Sequence, residues 1–233
     1  MVTVPARFRG PPTSANGGWA CGLCADGRPA AEVTLRKPIP LDTPLERDEG
    51  RLMLAGEALA EAVPVSLELA VPAAPSFEAA LEAGTRYIGL RDHAFPGCFV
   101  CGPGRAEGDG LRLFPGRMPL EGIPGGVGVA AAWTPHASLA EGEVLPAEIV
   151  WAALDCPSWF GAVVDLGEAT PRVALLGRLA AELREPVRVG VPHVVTAWPL
   201  GIDGRKVYGG AAVHGPDGRW LARGRATWVV LKS

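Results

Sequence analysis

Pro146-Ala147-Glu148-Ile149-Val150-Trp151-Ala152-Ala153-Leu154-Asp155-Cys156-Pro157 is the stretch from which the fold is read. Pro146 stands where the first turn of a helix tolerates a residue without an N–H, and Glu148 complements the positive end of that helix. Ile149, Ala152 and Ala153 fall on one helical stripe. Pro157 predicts a kink or an end, although apolar residues resume at Phe160, Ala162 and Val163. Strand-like sequence follows over residues 172–186, 191–200, 205–214 and 219–231, with Asp203-Gly204 and Pro216-Asp217-Gly218 as hairpin turns.

The same order occurs once earlier. Ser14-Ala15-Asn16-Gly17-Gly18-Trp19 opens a short helix through Ala25, with Ser14 or Asn16 as its N-cap and Asp26-Gly27 as its stop. Sheet-like residues 31–45 and 51–71 come next, within which Arg51 to Leu54 and Val65 to Leu69 read as strands. A faint repeat joins the two parts: Leu35-Arg36-Lys37-Pro38-Ile39-Pro40-Leu41 parallels Leu183-Arg184-Glu185-Pro186-Val187-Arg188-Val189, each following its own helix. Position and order together favour duplication. The expected organisation is an N-terminal half over 1–75, a junction over 76–110 and a C-terminal half over 111–233. Ser76 to Ala83 predicts a short connecting helix inside the junction.

Composition bounds the partners. Hydrophobic residues form 48% of the 233, enough for a substantial core, so a disordered chain is excluded. A net charge of −3 with interspersed signs offers no basic patch, so nucleic acid is not an expected partner. No apolar run approaches the roughly 20 residues of a membrane span, and the N-terminus lacks the apolar core of a secretory signal. Five cysteines, an odd number, point to a reducing cytoplasm.

Several motifs resemble those of the hotdog-fold acyl-CoA thioesterase-like superfamily. Cys98-Phe99-Val100-Cys101-Gly102 followed by Gly110-Leu111-Arg112-Leu113-Phe114 looks like the opening segment of small members, and Leu183 to Gly190 looks like their strand entering the second half of the sheet. Phe8-Arg9-Gly10-Pro11-Pro12 through Gly17-Gly18 is similar to the N-terminal half of a fused member. The resemblance implies an α+β double hotdog: two tandem hotdog domains, each a central helix wrapped by a curved antiparallel sheet. The superfamily includes thioesterases, dehydratases and non-catalytic members, so the fold implies no single activity.

Thioester hydrolysis needs donors for the carbonyl oxygen and a base or nucleophile beside it. Amides at a helix N-terminus are such donors, and glycines there leave room for substrate. In the family that this chain resembles, paired glycines open the central helix and an acid follows about two turns later. Here the first half has Gly17 and Gly18 but Ala25 at the acid position, and the second has Ala147-Glu148 in place of the glycines but keeps Asp155. The resemblance therefore implies one composite site, Gly17 and Gly18 facing Asp155, with its mirror image dead. Asn16 would orient substrate or cap the helix, and Trp19, Glu148, His136 and Trp151 are candidate substrate contacts. Plainer readings stand beside these. Gly17-Gly18 is also a turn before a helix, Asp155 a structural acid, Glu148 a dipole partner, and the tryptophans core.

Cys21-Gly22-Leu23-Cys24 and Cys98-Phe99-Val100-Cys101 are two C-x-x-C pairs whose four thiolates would suit zinc. Their separation exceeds that of a zinc ribbon and the first pair sits within a helix, so no metal and no cofactor are expected. The histidines His93, His136, His193 and His214 have no metal-ligand spacing with one another. The expected function is hydrolysis of a small-molecule acyl thioester, on CoA or a carrier, by a homodimer. A non-catalytic acyl-binding or assembly module and an enoyl-thioester hydratase are the alternatives.

Overall fold

A computed structural model describes residues 1–166 and 173–231. In chain order the elements are β1 (Val2–Thr3), α1 (Gly17–Ala25), β2 (Ala30–Leu35), β3 (Pro44–Asp48), β4 (Arg51–Leu54), β5 (Glu57–Pro64) and α2 (Phe77–Gly84). After these come β6 (Gly116–Pro119), β7 (Val127–Trp133), α3 (Ala147–Ala162), β8 (Ala174–Leu183), β9 (His193–Asp203), β10 (Lys206–His214) and β11 (Trp220–Val230). The strands form one sheet in the order β1-β3-β4-β5-β2-β8-β11-β10-β9-β7-β6. Leaving β6 aside, that order reads the same from either end when β1–β5 are matched with β7–β11. The fold is an α+β double hotdog. Arg172, at the start of the strand expected over 172–186, lies outside the described residues.

The centre of symmetry is the antiparallel pair β2–β8, where Ala31 faces Ala181 and Val33 faces Leu179. The sequence repeat has a geometric counterpart. Ala15 N donates to Ile39 O at 2.9 Å in the first half, and Leu145 N donates to Val187 O at 2.9 Å in the second. Isolated bridges follow at matching places, Ser14 to Pro40 and Val144 to Arg188. Each heptapeptide therefore ties the strand it follows to the residues just ahead of its helix.

The helices lie at the centre. α3 packs on β7 to β11, α1 packs on β2, β5 and β8, and the two helices pack on each other. Their approach is close enough to require glycine. A Cβ on Gly18 would lie 2.5 Å from Asp155 Cβ and 2.6 Å from the Trp151 carbonyl oxygen, and one on Gly22 would lie 2.6 Å from Glu148 Cα. Gly18 and Gly22 are one turn apart, so together they clear a flat strip along α1 for the backbone of α3.

Two expectations are corrected. Pro157 does not end α3, which runs on to Ala162. Around the proline, Ser158 Oγ donates to Asp155 O within the helix at 2.6 Å, and Trp228 Nε1 from β11 donates to Ser158 Oγ at 2.9 Å. Residues 65–69 are not a strand. The carbonyls of Leu67 and Leu69 instead accept from the Arg223 guanidinium at 2.7 and 2.6 Å, which satisfies them as well as a ladder would. The connecting helix is present, with the Ser76 hydroxyl accepting from Ala79 N as its cap.

Gly22→Ala tests the strip at a position that does not line the cavity. Alanine favours an isolated helix by roughly 1 kcal/mol over glycine, but here its methyl meets backbone. The expected outcome is a net loss of about 2 kcal/mol in unfolding free energy, read from the urea midpoint. Unchanged or raised stability would show that the helices separate at no cost.

Candidate functional site

Where α1 begins, it faces the middle of α3, and the polar groups there are mutually committed. Asn16 caps α1: its Oδ1 accepts from Trp19 N at 2.9 Å. The same amide's Nδ2 donates to Asp155 Oδ2 at 2.7 Å, and Gly18 N donates to that oxygen at 2.8 Å. Asp155 Oδ1 is buried and has no hydrogen-bond partner among the described residues. Asp155 is only 2% exposed, and burial raises its carboxyl to about 7 despite the Gly18 amide, with the Cys98 sulfur adding to the rise and Asn16 opposing it.

A cavity of about 800 Å³ opens beside this carboxyl. Asn16, Gly17 and Asp155 line it with apolar walls that include Leu176, Trp159 and Phe160, so both halves contribute. The expected junction contributes too, through His93, Cys98 and Cys101. Residues 76–110 are therefore more than a connection, since they supply one side of the cavity.

Of the expected Gly17, Gly18 and Asp155 grouping, Gly18 bonds Asp155 directly; Asn16, expected to cap the helix or orient substrate, caps it and also bonds Asp155. The missing side chain of Gly18 admits α3 rather than substrate, and its N–H is already given to Asp155. Gly17 lines the cavity, and its N–H has no partner among the described residues. That amide, at the N-terminus of α1, is the available donor of the pair.

The other candidate contacts lie elsewhere. Glu148 is half-buried at the start of α3, with its Cα against Gly22, and does not line the cavity. His136 is exposed and bonds Ser138 locally, its Nδ1 accepting from Ser138 N at 3.1 Å. Trp151 is fully buried core between the helices, and Trp19 stacks on Phe8 with ring centroids 4.6 Å apart. Neither tryptophan lines the cavity: Trp151 lies one turn before Asp155 on α3, packed against Gly22, and Trp19 is taken up by Phe8. Trp159 and Trp228 do line it. His193 and His214 are buried in the sheet, where His214 Nε2 and Thr196 Oγ1 are 2.8 Å apart.

Three cysteines at the cavity were not grouped by the sequence. Cys98 and Cys156 place their sulfurs 3.6 Å apart, and Cys101 completes a buried cluster with them. Cys21 and Cys24 stay apart from it, the Cys24 thiol donating to Gly50 O at 3.1 Å. His93 Nε2 lies 3.3 Å from Cys101 Sγ. The spacing of Cys98 and Cys101 was visible in the sequence; Cys156 and His93 carried no signal, since only tertiary packing brings them in.

This arrangement belongs to a fold already seen in solved structures. A TesB protein from Mycobacterium avium subspecies paratuberculosis superposes with a TM-score of 0.58 at 14% identity, over 95% of this chain and 89% of that one. The acyl-CoA thioesterase II TesB2 from Mycobacterium marinum gives 0.58 at 12% identity, over 94% and 92%. The likeness extends over both halves, and at this identity it establishes the double-hotdog fold. No family model matches the chain, and no curated protein matches it either. Among the described residues no helix is long and apolar enough to cross a membrane.

Asn16→Ala removes both the cap of α1 and one donor to a buried carboxyl. We expect a loss of about 2 kcal/mol by urea denaturation. Asn16→Asp should recover only part of it, because the restored cap brings a second carboxyl against Asp155. Full recovery with aspartate would mean that the Nδ2 bond contributes nothing.

Proposed function

We propose that the chain hydrolyses acyl thioesters at a single site composed from both halves, with Asp155 activating water or attacking the acyl carbon directly. The observation that carries this reading is the division of labour on one carboxyl. Asn16 and Gly18 fix Oδ2, Oδ1 is buried without a partner among the described residues, and the residue lines a largely apolar cavity large enough for an acyl chain.

In the water route Oδ1 takes a proton from water as the oxygen adds to the thioester carbon. The carbonyl oxygen, now negative, is met by the Gly17 N–H with the α1 dipole behind it. Collapse breaks the C–S bond, and the proton held on Asp155 passes to the departing thiolate, leaving acid and thiol. In the direct route the Asp155 carboxylate attacks the acyl carbon, the C–S bond breaks as the thiolate leaves, and water hydrolyses the resulting anhydride to the free acid and the restored carboxylate, its released proton going to the thiolate. Thioesterases among the proteins that share the fold support the substrate class, an acyl group on CoA or on a carrier. The five buried free cysteines fit a reducing compartment such as the cytoplasm. A homodimer belongs to the same reading, because the sheet ends at β1 and β6 with edges that can pair.

The test is thiol release from a panel of acyl-CoAs by the intact protein and by Asp155→Asn, with folding checked by thermal melting. Turnover that falls by about 100-fold or more in the variant is the expected result. Unchanged turnover would remove Asp155 from the chemistry. A melting temperature raised by acyl-CoA without any turnover would replace the hydrolase with an acyl-binding module. Loss of enoyl absorbance with a crotonyl thioester would indicate hydration instead.

A further inference from the structure

Burial in a core accounts for a single cysteine, but not for three converging at one point from separate segments. Cys98, Cys101 and Cys156 place their sulfurs within 4.8 Å of one another, all buried, and all line the cavity. Cys98 and Cys101 come from the loop between α2 and β6, and Cys156 comes from α3.

The spacing is that of metal ligands. Zinc–sulfur bonds of about 2.3 Å in a tetrahedron place sulfurs about 3.8 Å apart. The Cys98 and Cys156 sulfurs are 3.6 Å apart, so a cation can enter with little movement. A disulfide would need about 2.05 Å and would use two of the three sulfurs.

Backbone and arginine contacts hold the loop in place independently of the thiols. Phe99 N donates to Arg9 O at 2.8 Å, Leu111 N to Phe99 O at 2.8 Å, and Leu113 N to Val100 O at 2.9 Å. Gly102 N closes the turn on Cys98 O at 3.0 Å, and Arg105 Nε secures Gly97 O at 2.8 Å. Cys156 is fixed by its helix. The sulfurs are thus preorganised.

His93 identifies its own role. Its Nδ1 accepts from Phe95 N at 3.0 Å, so in the neutral ring the proton is on Nε2, which lies 3.3 Å from Cys101 Sγ. That N–H points at the sulfur, where it would offset thiolate charge, rather than offering a lone pair to a metal.

We propose that Cys98, Cys101 and Cys156 hold a thiophilic divalent cation, zinc in the first instance, as a three-thiolate site with His93 donating to the Cys101 sulfur and the fourth corner turned to the cavity. Binding releases the three thiol protons to solvent and leaves a cluster of net charge −1, which the His93 N–H partly compensates. The pairing differs from the one the sequence invites, since Cys156 replaces Cys21 and Cys24. The proposal stands whether or not the cavity hydrolyses thioesters.

The experiment uses the full chain. Metal content after purification without chelator should be about one zinc per chain. Stripped of metal and titrated with Co²⁺ under reducing conditions, the protein should develop near-ultraviolet thiolate-to-cobalt absorption and intense visible bands of a four-coordinate ion. Cys101→Ser and Cys156→Ser should each abolish the spectrum or weaken Co²⁺ binding by at least about 10-fold, and His93→Gln should weaken it by about 10-fold. Cys24→Ala, outside the cluster, should leave it unchanged. Far-ultraviolet circular dichroism checks that each variant folds, and the wild-type titration decides the question even where one does not. A folded, reduced protein that takes up no zinc and gives no thiolate–cobalt band overturns the site. So does a Cys156→Ser variant that keeps both the band and the wild-type Co²⁺ affinity.

Discussion

The contact on which everything else rests is the close crossing of α1 and α3. Two glycines one turn apart let the backbones meet, and this contact sets how deep the N-terminus of α1 sits within the molecule. A side chain at Gly18 would displace Asp155 Cβ, and one at Gly22 would lift the start of α3. Either change would move the Gly18 amide away from Asp155 Oδ2, so the packing of the core and the orientation of the carboxyl are one constraint.

That crossing also explains why the site is single in a symmetric frame. Gly18 and Glu148 are the second residues of their helices, and Ala25 and Asp155 the ninth. The sheet order, the β2–β8 pairing and the two matched Ile39 and Val187 hydrogen bonds obey the same symmetry. The polar pair does not. Asp155 meets the Gly18 amide, whereas the mirrored place has Ala25, which offers no acceptor, opposite Glu148. The scaffold is duplicated, and the carboxylate–amide pair occurs in one copy.

Much of the scaffold could be read from the sequence because it follows from local periodicity. Both central helices, the strand Arg51–Leu54 and the four strands after α3 obey patterns that neighbouring residues determine. The heptapeptide repeat was legible for the same reason. Residues 65–69 misled because an alternating pattern satisfies a strand and an arginine-held extended segment equally well, and Arg223 is more than 150 residues away in the chain. At the site, the meeting of the α1 N-terminus with Asp155 was legible through the family resemblance. The reason for Gly18 was not, since a clearance between helices depends on distances that no single segment encodes. Trp151 and Trp19 have the size of pocket walls, but which face of a helix meets a cavity is settled only by packing.

The N-terminus of α1 has few free donors, and the way they are divided defines what the cavity can do. Trp19 N is spent on Asn16 Oδ1, which keeps the helix capped and fixes the Asn16 amide. Its Nδ2 and the Gly18 N–H then both go to one oxygen of Asp155. Burying a carboxyl is costly unless it is bonded, and these two bonds satisfy only half of it. The other oxygen is buried without a partner among the described residues, and both Asp155 and Gly17 line the apolar cavity. The hydrolysis proposed above asks no more of a protein than an acceptor that can take a proton and a donor that can bind an oxygen, and one helix crossing sets where both groups lie.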